Sequence, residues 1–146
     1  MKRFAIADAP FDIAPLRERL LAVQAGAYAS FEGWVRDNNQ GRPVSALTYE
    51  SYRALAETEG GKILDEAMQR FAIVEAVCVH RIGRLELGEL AVWVGVSAGH
   101  RDAAFAACRW IIDEVKSRVP IWKREHYSDG NAGWLHPEPP TSQERA

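Results

Sequence analysis

The order of apolar and polar positions divides this chain into stretches of period two and stretches of period about 3.6, the signatures of strands and helices. Residues 3–7 (RFAIA) predict a short first strand. Asp12 then stands where a helix cap would, with Pro15 in the first turn and Leu16, Leu20, Leu21 and Val23 along an apolar stripe. Residues 27–35 read as a strand, and residues 37–43 (DNNQGRP) as a polar, mobile loop. Residues 45–52 alternate, with Leu47, Tyr49 and Ser51 on one face and Thr48, Glu50 and Tyr52 on the other, as in a half-buried strand. Residues 54–71 predict a helix carrying Ile63, Leu64, Ala67, Met68 and Phe71 at helical spacing, with a weak middle at Gly60-Gly61. Strands are predicted at 73–82 and 90–97, with a short strand and turns at 83–89 between them. The strongest helix covers 101–119: Ala104, Cys108, Ile111, Ile112, Val115 and Val119 share one face, and Pro120 stops it. Residues 121–127 are extended, and the tail after Trp134 is Pro-rich and polar. Strands and helices mix without strict alternation, so the fold class is α+β, with one domain over residues 1–136 and a disordered polar tail at 137–146.

Composition narrows the function. The 146 residues suffice for one hydrophobic core, and a net charge of −2 gives no general attraction to nucleic acid or to an anionic membrane. Anion binding would therefore need a local cluster of cations. Cys78 and Cys108 both sit in apolar runs and read as packing thiols in a reducing compartment. No CxxC pair or His/Cys cluster has zinc spacing, so no metal is expected. The N-terminus lacks a signal-peptide core and no run approaches about 20 apolar residues, so the expected location is the cytoplasm. There is no P-loop, dinucleotide fingerprint or nucleophile elbow.

Three places carry candidate chemistry. His100 and Arg101 open the long helix, where unpaired N–H groups and the helix dipole attract anions. Cations there are unfavourable by up to about 1 kcal/mol, a cost that makes sense if an anion completes the site. The competing reading is an Arg101 that points to solvent or pairs with Asp102 or Glu125. Lys116 flanks the buried stripe of that helix and Lys123 lies just past the Pro120 break, beside Trp122. Two lysines against an apolar wall would depress each other's pKa and become proton-transfer groups or nucleophiles, although two solvated lysines are the commoner case. Arg36, at a strand end before a glycine-containing loop, would suit a phosphate or carboxylate clamp. His80 and Arg81, inside a strand, read as structural or as rim residues, and Tyr49, Glu50 and Tyr52 as sheet packing.

These segments, in this order, resemble the large subunit of molybdopterin synthase. The resemblance is carried by FEGWVR at 31–36, LTYE at 47–50, HRIG at 80–83 with Leu85 and Gly88-Glu89, VGVSAGHR at 94–101, and AAFAAC at 103–108 through Lys116 to PIWKRE at 120–125. It implies an α/β-hammerhead fold, with a mixed or antiparallel sheet and flanking helices, and a homodimer flanked by two copies of a small ubiquitin-like sulfur carrier, a heterotetramer overall. It implies an enzyme, a sulfurtransferase of molybdenum cofactor biosynthesis. The carrier's Gly-Gly thiocarboxylate tail would deliver sulfur to cyclic pyranopterin monophosphate, giving molybdopterin without a cofactor. The family's catalytic positions fall on Lys116 and Lys123, and its substrate-binding positions on Arg36, His100, Arg101, Lys116, Lys123, Arg124 and Glu125. Trp34 stands where many relatives have a polar residue, so Trp34 and Val35 carry over only as backbone contacts. All these cations are expected to converge on one cavity. The alternative is a non-catalytic module holding a phosphorylated pterin or a partner's tail. An RNA-binding domain is disfavoured by the negative net charge.

Overall fold

The computed structural model describes residues 2–128 and 132–134, so the tail expected at 137–146 lies outside the described residues. The elements follow in the order β1 (Phe4–Ala7), α1 (Ile13–Glu18), β2 (Ala27–Trp34), β3 (Asn38–Asn39), β4 (Arg42–Ser51), α2 (Arg53–Arg70), β5 (Ile73–Arg81), β6 (Gly83–Glu86), β7 (Leu90–Ala98), α3 (Arg101–Arg118), β8 (Ile121–Tyr127) and β9 (Ala132–Trp134). Two sheets result. One has the order β1-β5-β7-β2, with β1 parallel to β5 and the rest antiparallel. The other runs β3-β4-β8-β9, with β6 also paired to β4. This is the mixed α+β class that the residue pattern predicts.

The first sheet is covered on both faces, which is why β7 is buried along nearly its whole length instead of alternating. Ile111, Ile112 and Val115 of α3 and Ile63, Leu64 and Ala67 of α2 join Cys78, Val94 and Val96 in the larger core. A smaller cluster of Leu20, Val77, Val79 and Trp93 is covered by Phe11, Ile13 and Leu16. Where α2 crosses β1, a Cβ at Gly60 would stand 2.2 Å from the Phe4 ring, so only glycine lets the helix approach this closely. Arg118 ties the ends of the two long helices, donating to both carboxylate oxygens of Glu66 at 3.1 and 2.7 Å and to Glu114 at 3.2 Å. Among the described residues no helix is long and apolar enough to cross a membrane.

Two local expectations are corrected. The first helix is shorter than its apolar stripe suggested. Asp12 caps it through the Ala14 N–H at 3.1 Å, but it ends at Glu18. Leu20 alone of the later stripe is buried, while Leu21 and Val23 are exposed on the turns that follow. Residues 37–43 are not a loose loop either. Asn38 pairs with Pro43 and Asn39 with Arg42, and Gln40 (φ 52°) and Gly41 (φ 82°) both take the left-handed conformation of a tight hairpin turn.

Candidate functional site

The site begins where β2 ends. A bulge between Gly33 and Trp34 breaks the register with β7, and past it the backbone of Val35 is held by the β6–β7 turn. The Val35 N–H donates to the Glu89 carbonyl at 3.0 Å, and the Gly88 N–H donates to the Val35 carbonyl at 2.7 Å. Val35 is thereby buried and Arg36 is delivered just beyond it. Trp34 stays exposed, its Nε1 donating to Glu32 at 2.9 Å.

The last turn of α3 supplies Lys116. Pro120 ends the helix and sends the chain into β8, where side chains alternate between faces. Lys123 and Glu125 share a face with Tyr49 and Leu47, their cross-strand partners on β4. That face points inward: Glu125 and Tyr49 are buried and the Lys123 side chain is only 24% exposed. The Lys123 ammonium lies 3.9 Å from the Glu125 carboxylate. Burial pushes Lys123 below the usual lysine range, Glu125 pulls the other way, and Lys116 and Arg36 add to the lowering. Burial likewise raises the Glu125 carboxyl, against the cations Lys123, Arg36 and Arg42. Burial pushes the Tyr49 hydroxyl up to about 12, with Glu125 adding to it. Arg36, Lys116, Lys123 and Glu125 therefore form one electrostatic unit assembled from three separate parts of the chain.

Behind this unit lies His80. It is fully buried, its Nδ1 is 2.6 Å from the Arg81 carbonyl, and its ring stands edge-on to Tyr49 at 5.0 Å between centroids. Burial drives its pKa down to about 4, with the Arg81 carbonyl opposing and the charge of Lys116 assisting. The ring is therefore neutral at physiological pH, with Nδ1 donating and Nε2 left as an unpartnered acceptor.

A groove of about 460 Å³ lies between β2 and α3, and Lys116 of the cluster lines it. Its walls are Ala29, Ser30 and Phe31 on one side and Phe105, Cys108, Arg109, Ile112 and Asp113 on the other, with Lys116 at the far end of the helical wall. Phe31 and Phe105 are large apolar side chains left exposed. Burial holds the Cys108 thiol up at about 11, so it is protonated at neutral pH. Both cysteines are free.

The structure does not bring every expected residue here. His100 and Arg101 stand exposed at the start of α3, sixteen and fifteen positions before Lys116, the latter about 22 Å at 1.5 Å per residue. Convergence of all the cations within a single chain is thus corrected by the length of the helix that separates them. Arg124 alternates to the opposite face of β8, beside His126 and Arg84. Phe31 and Phe105 of the groove walls had no role in the sequence reading, and His80 and Tyr49, read as structural or rim and as sheet packing, were not seen as a contacting pair. A phenylalanine on the outer side of an otherwise polar helical face was the available signal for Phe105.

Fold and site together define an α+β protein with three cations clustered about a buried carboxylate, one of them lining an open, largely apolar groove. The family model described as MoaE protein matches residues 6–118. The molybdopterin synthase catalytic subunit of Thermoplasma volcanium is 46% identical over 125 residues, covering 84% of this chain and 91% of that protein. The crystal structure of molybdopterin synthase from Staphylococcus aureus superposes with a TM-score of 0.87 at 34% identity, covering 93% of this chain and 98% of that one. A complex of subunits 1 and 2 of molybdopterin-converting factor from Helicobacter pylori shares the fold, with a TM-score of 0.74 at 22% identity, covering 92% of this chain and 91% of that one. The chain belongs to the MoaE protein family. With its relatives named as molybdopterin synthase catalytic subunits it shares an enzymatic role in molybdenum cofactor biosynthesis.

Proposed function

We propose that the chain transfers sulfur from the C-terminal thiocarboxylate of a small ubiquitin-like carrier to cyclic pyranopterin monophosphate, building the dithiolene of molybdopterin. The observation that carries this reading is the clustering of Lys116, Lys123 and Arg36 around the buried Glu125, with Lys116 also lining the groove. An open groove with apolar walls suits an extended Gly-Gly tail, which has no side chains to place. The carrier as partner is in keeping with the two-subunit Helicobacter pylori complex of the same fold.

The roles follow from placement. Arg36 binds the phosphate by charge-assisted hydrogen bonds. Lys123, held by Glu125 and lowered toward neutrality, positions the thiocarboxylate. Lys116, exposed at the groove's end, gives and takes the proton at the reacting carbon or forms a transient bond there. Each transfer forms a carbon–sulfur bond on the pterin as a carbon–oxygen bond at the same carbon breaks, its oxygen leaving as water or staying on the phosphate. It also breaks the acyl carbon–sulfur bond of the tail, with water supplying the oxygen that leaves the tail a carboxylate. Two transfers supply the two dithiolene sulfurs. His100 and Arg101, remote from Lys116 in their own chain, complete the phosphate site in the pocket of a second copy. The working assembly is then a homodimer with two carriers, acting in the cytoplasm, a reducing setting that the two free thiols fit.

The test is turnover. The chain, thiocarboxylated carrier and pterin precursor together yield dithiolene product, and Lys116→Ala lowers its rate by roughly 100-fold or more while thermal unfolding is unchanged. Near-normal turnover by both Lys116→Ala and Lys123→Ala would overturn the catalytic assignment. Carrier and pterin binding by the unmodified chain without product would instead make it a non-catalytic module.

A further inference from the structure

We propose that Arg81 and Glu89 are positioning residues for the pocket, setting the place of Arg36 through the backbone of Val35. Arg81 is a charged residue with a side chain only 7% exposed, and burial on that scale demands a partner. Its Nη1 donates to Glu89 Oε1 at 3.1 Å and its Nη2 to the Arg84 carbonyl at 3.4 Å. The other carboxylate oxygen of Glu89 accepts from the Glu86 N–H at 2.6 Å, while the Glu89 N–H closes the turn onto the Glu86 carbonyl at 3.1 Å. One ion pair therefore fixes both sides of a four-residue turn whose third residue, Gly88, takes the left-handed φ of 81°.

That turn is what holds Val35, by the two backbone hydrogen bonds at 3.0 and 2.7 Å. Past the bulge after Gly33 the β2–β7 ladder holds one more pair, Trp34 with Leu90, and the turn's two bonds carry the pairing on to Val35. Arg36 is the next residue, and its charge is felt at both Lys123 and Glu125. The path from Arg81 to the pocket is thus a continuous series of short polar contacts through one turn, and neither Arg81 nor Glu89 touches the pocket itself.

The inference rests on the proposed function only in calling Arg36 a phosphate ligand, so its first test does not use turnover. The Lys123 13Cε shift is followed against pH in full-length chain carrying 13C-labelled lysine. Around Lys123 stand Glu125 on its own strand, Tyr49 on β4, Lys116 on α3 and Arg36 after β2. Arg36→Met is expected to raise the Lys123 midpoint toward the usual lysine value, and Glu89→Ala to raise it likewise. The double variant should go no further than Arg36→Met alone, since Glu89 acts through Arg36. Glu89→Gln, which keeps one acceptor oxygen, should fall between Glu89→Ala and wild type. An unmoved midpoint in Glu89→Ala, or single-variant shifts that simply add, would overturn the inference, as would an Arg36→Met that leaves Lys123 unchanged. Should Arg81→Met fail to fold, the Glu89 variants carry the test, because the Glu89 side chain is a third exposed. In turnover, Glu89→Ala is expected to raise KM for the phosphorylated pterin roughly tenfold, the ratio that about 1.4 kcal/mol represents, with a smaller change in kcat. Loss of turnover in wild type would sink the sulfur-transfer reading and leave the Lys123 result standing.

Discussion

His80 has no solvent contact, and its ring sits between the Arg81 carbonyl, the Tyr49 ring and the field of Lys116. Unfolded, the ring takes its proton near 6.5; folded, it does so only near 4. Between these values the unfolded state binds more protons, so acidification from 6.5 toward 4 removes stability, by at most about 1.4 kcal/mol per pH unit. Above 6.5 the ring is neutral in both states and adds no slope. Urea unfolding at about pH 7 and pH 5 should therefore show a larger loss for wild type than for His80→Gln, and equal losses in the two proteins would contradict a buried neutral ring. The sequence showed the strand around His80 but not this burial. A His-Arg pair in a strand reads as structural or as a polar rim, and only the fold decides for the first by showing Arg81 neutralised by Glu89 across a turn.

Among the elements, α2 and α3 were plain from periodicity, since each buries one face against a sheet and hides little else. The two glycines of α2 were not. Both read as weak points, yet Gly60 is a close approach to Phe4 and Gly61 faces open space. Their alanine variants should move stability in opposite directions. Gly60→Ala drives a methyl group into a ring and costs about 1–3 kcal/mol. Gly61→Ala gains up to about 1 kcal/mol from helix propensity. Melting temperatures of the two variants check this, and a loss of equal size in both would contradict the packing described. The hairpin at Asn38–Asn39 and Arg42 escaped notice because Asn-Gln-Gly marks a turn without marking whether strands flank it.

At the scale of the molecule, four of the residues singled out in the sequence lie near enough to feel one another's charge. Lys116, Lys123, Arg36 and Glu125 do meet, because the Pro120 break turns β8 back beside the end of α3 while the β2 bulge directs Arg36 to the same place. What a list of residue types hides, although the helix predicted over 101–119 implies it, is the distance that α3 puts between its own two ends. A helix start and a helix end that both attract anions look like one site in a list of residues, yet in a single chain they are separated by about 22 Å. Two copies arranged symmetrically can bring the start of one α3 to the end of the other. The most direct measurement mixes two inactive variants, Lys116→Ala and Arg101→Ala, under conditions that allow subunit exchange, and follows dithiolene formation. If the pocket is shared between copies, half of the dimers are mixed and each holds one intact site, so turnover returns to about a quarter of the wild-type rate. A mixture no more active than its two components would contradict the shared pocket.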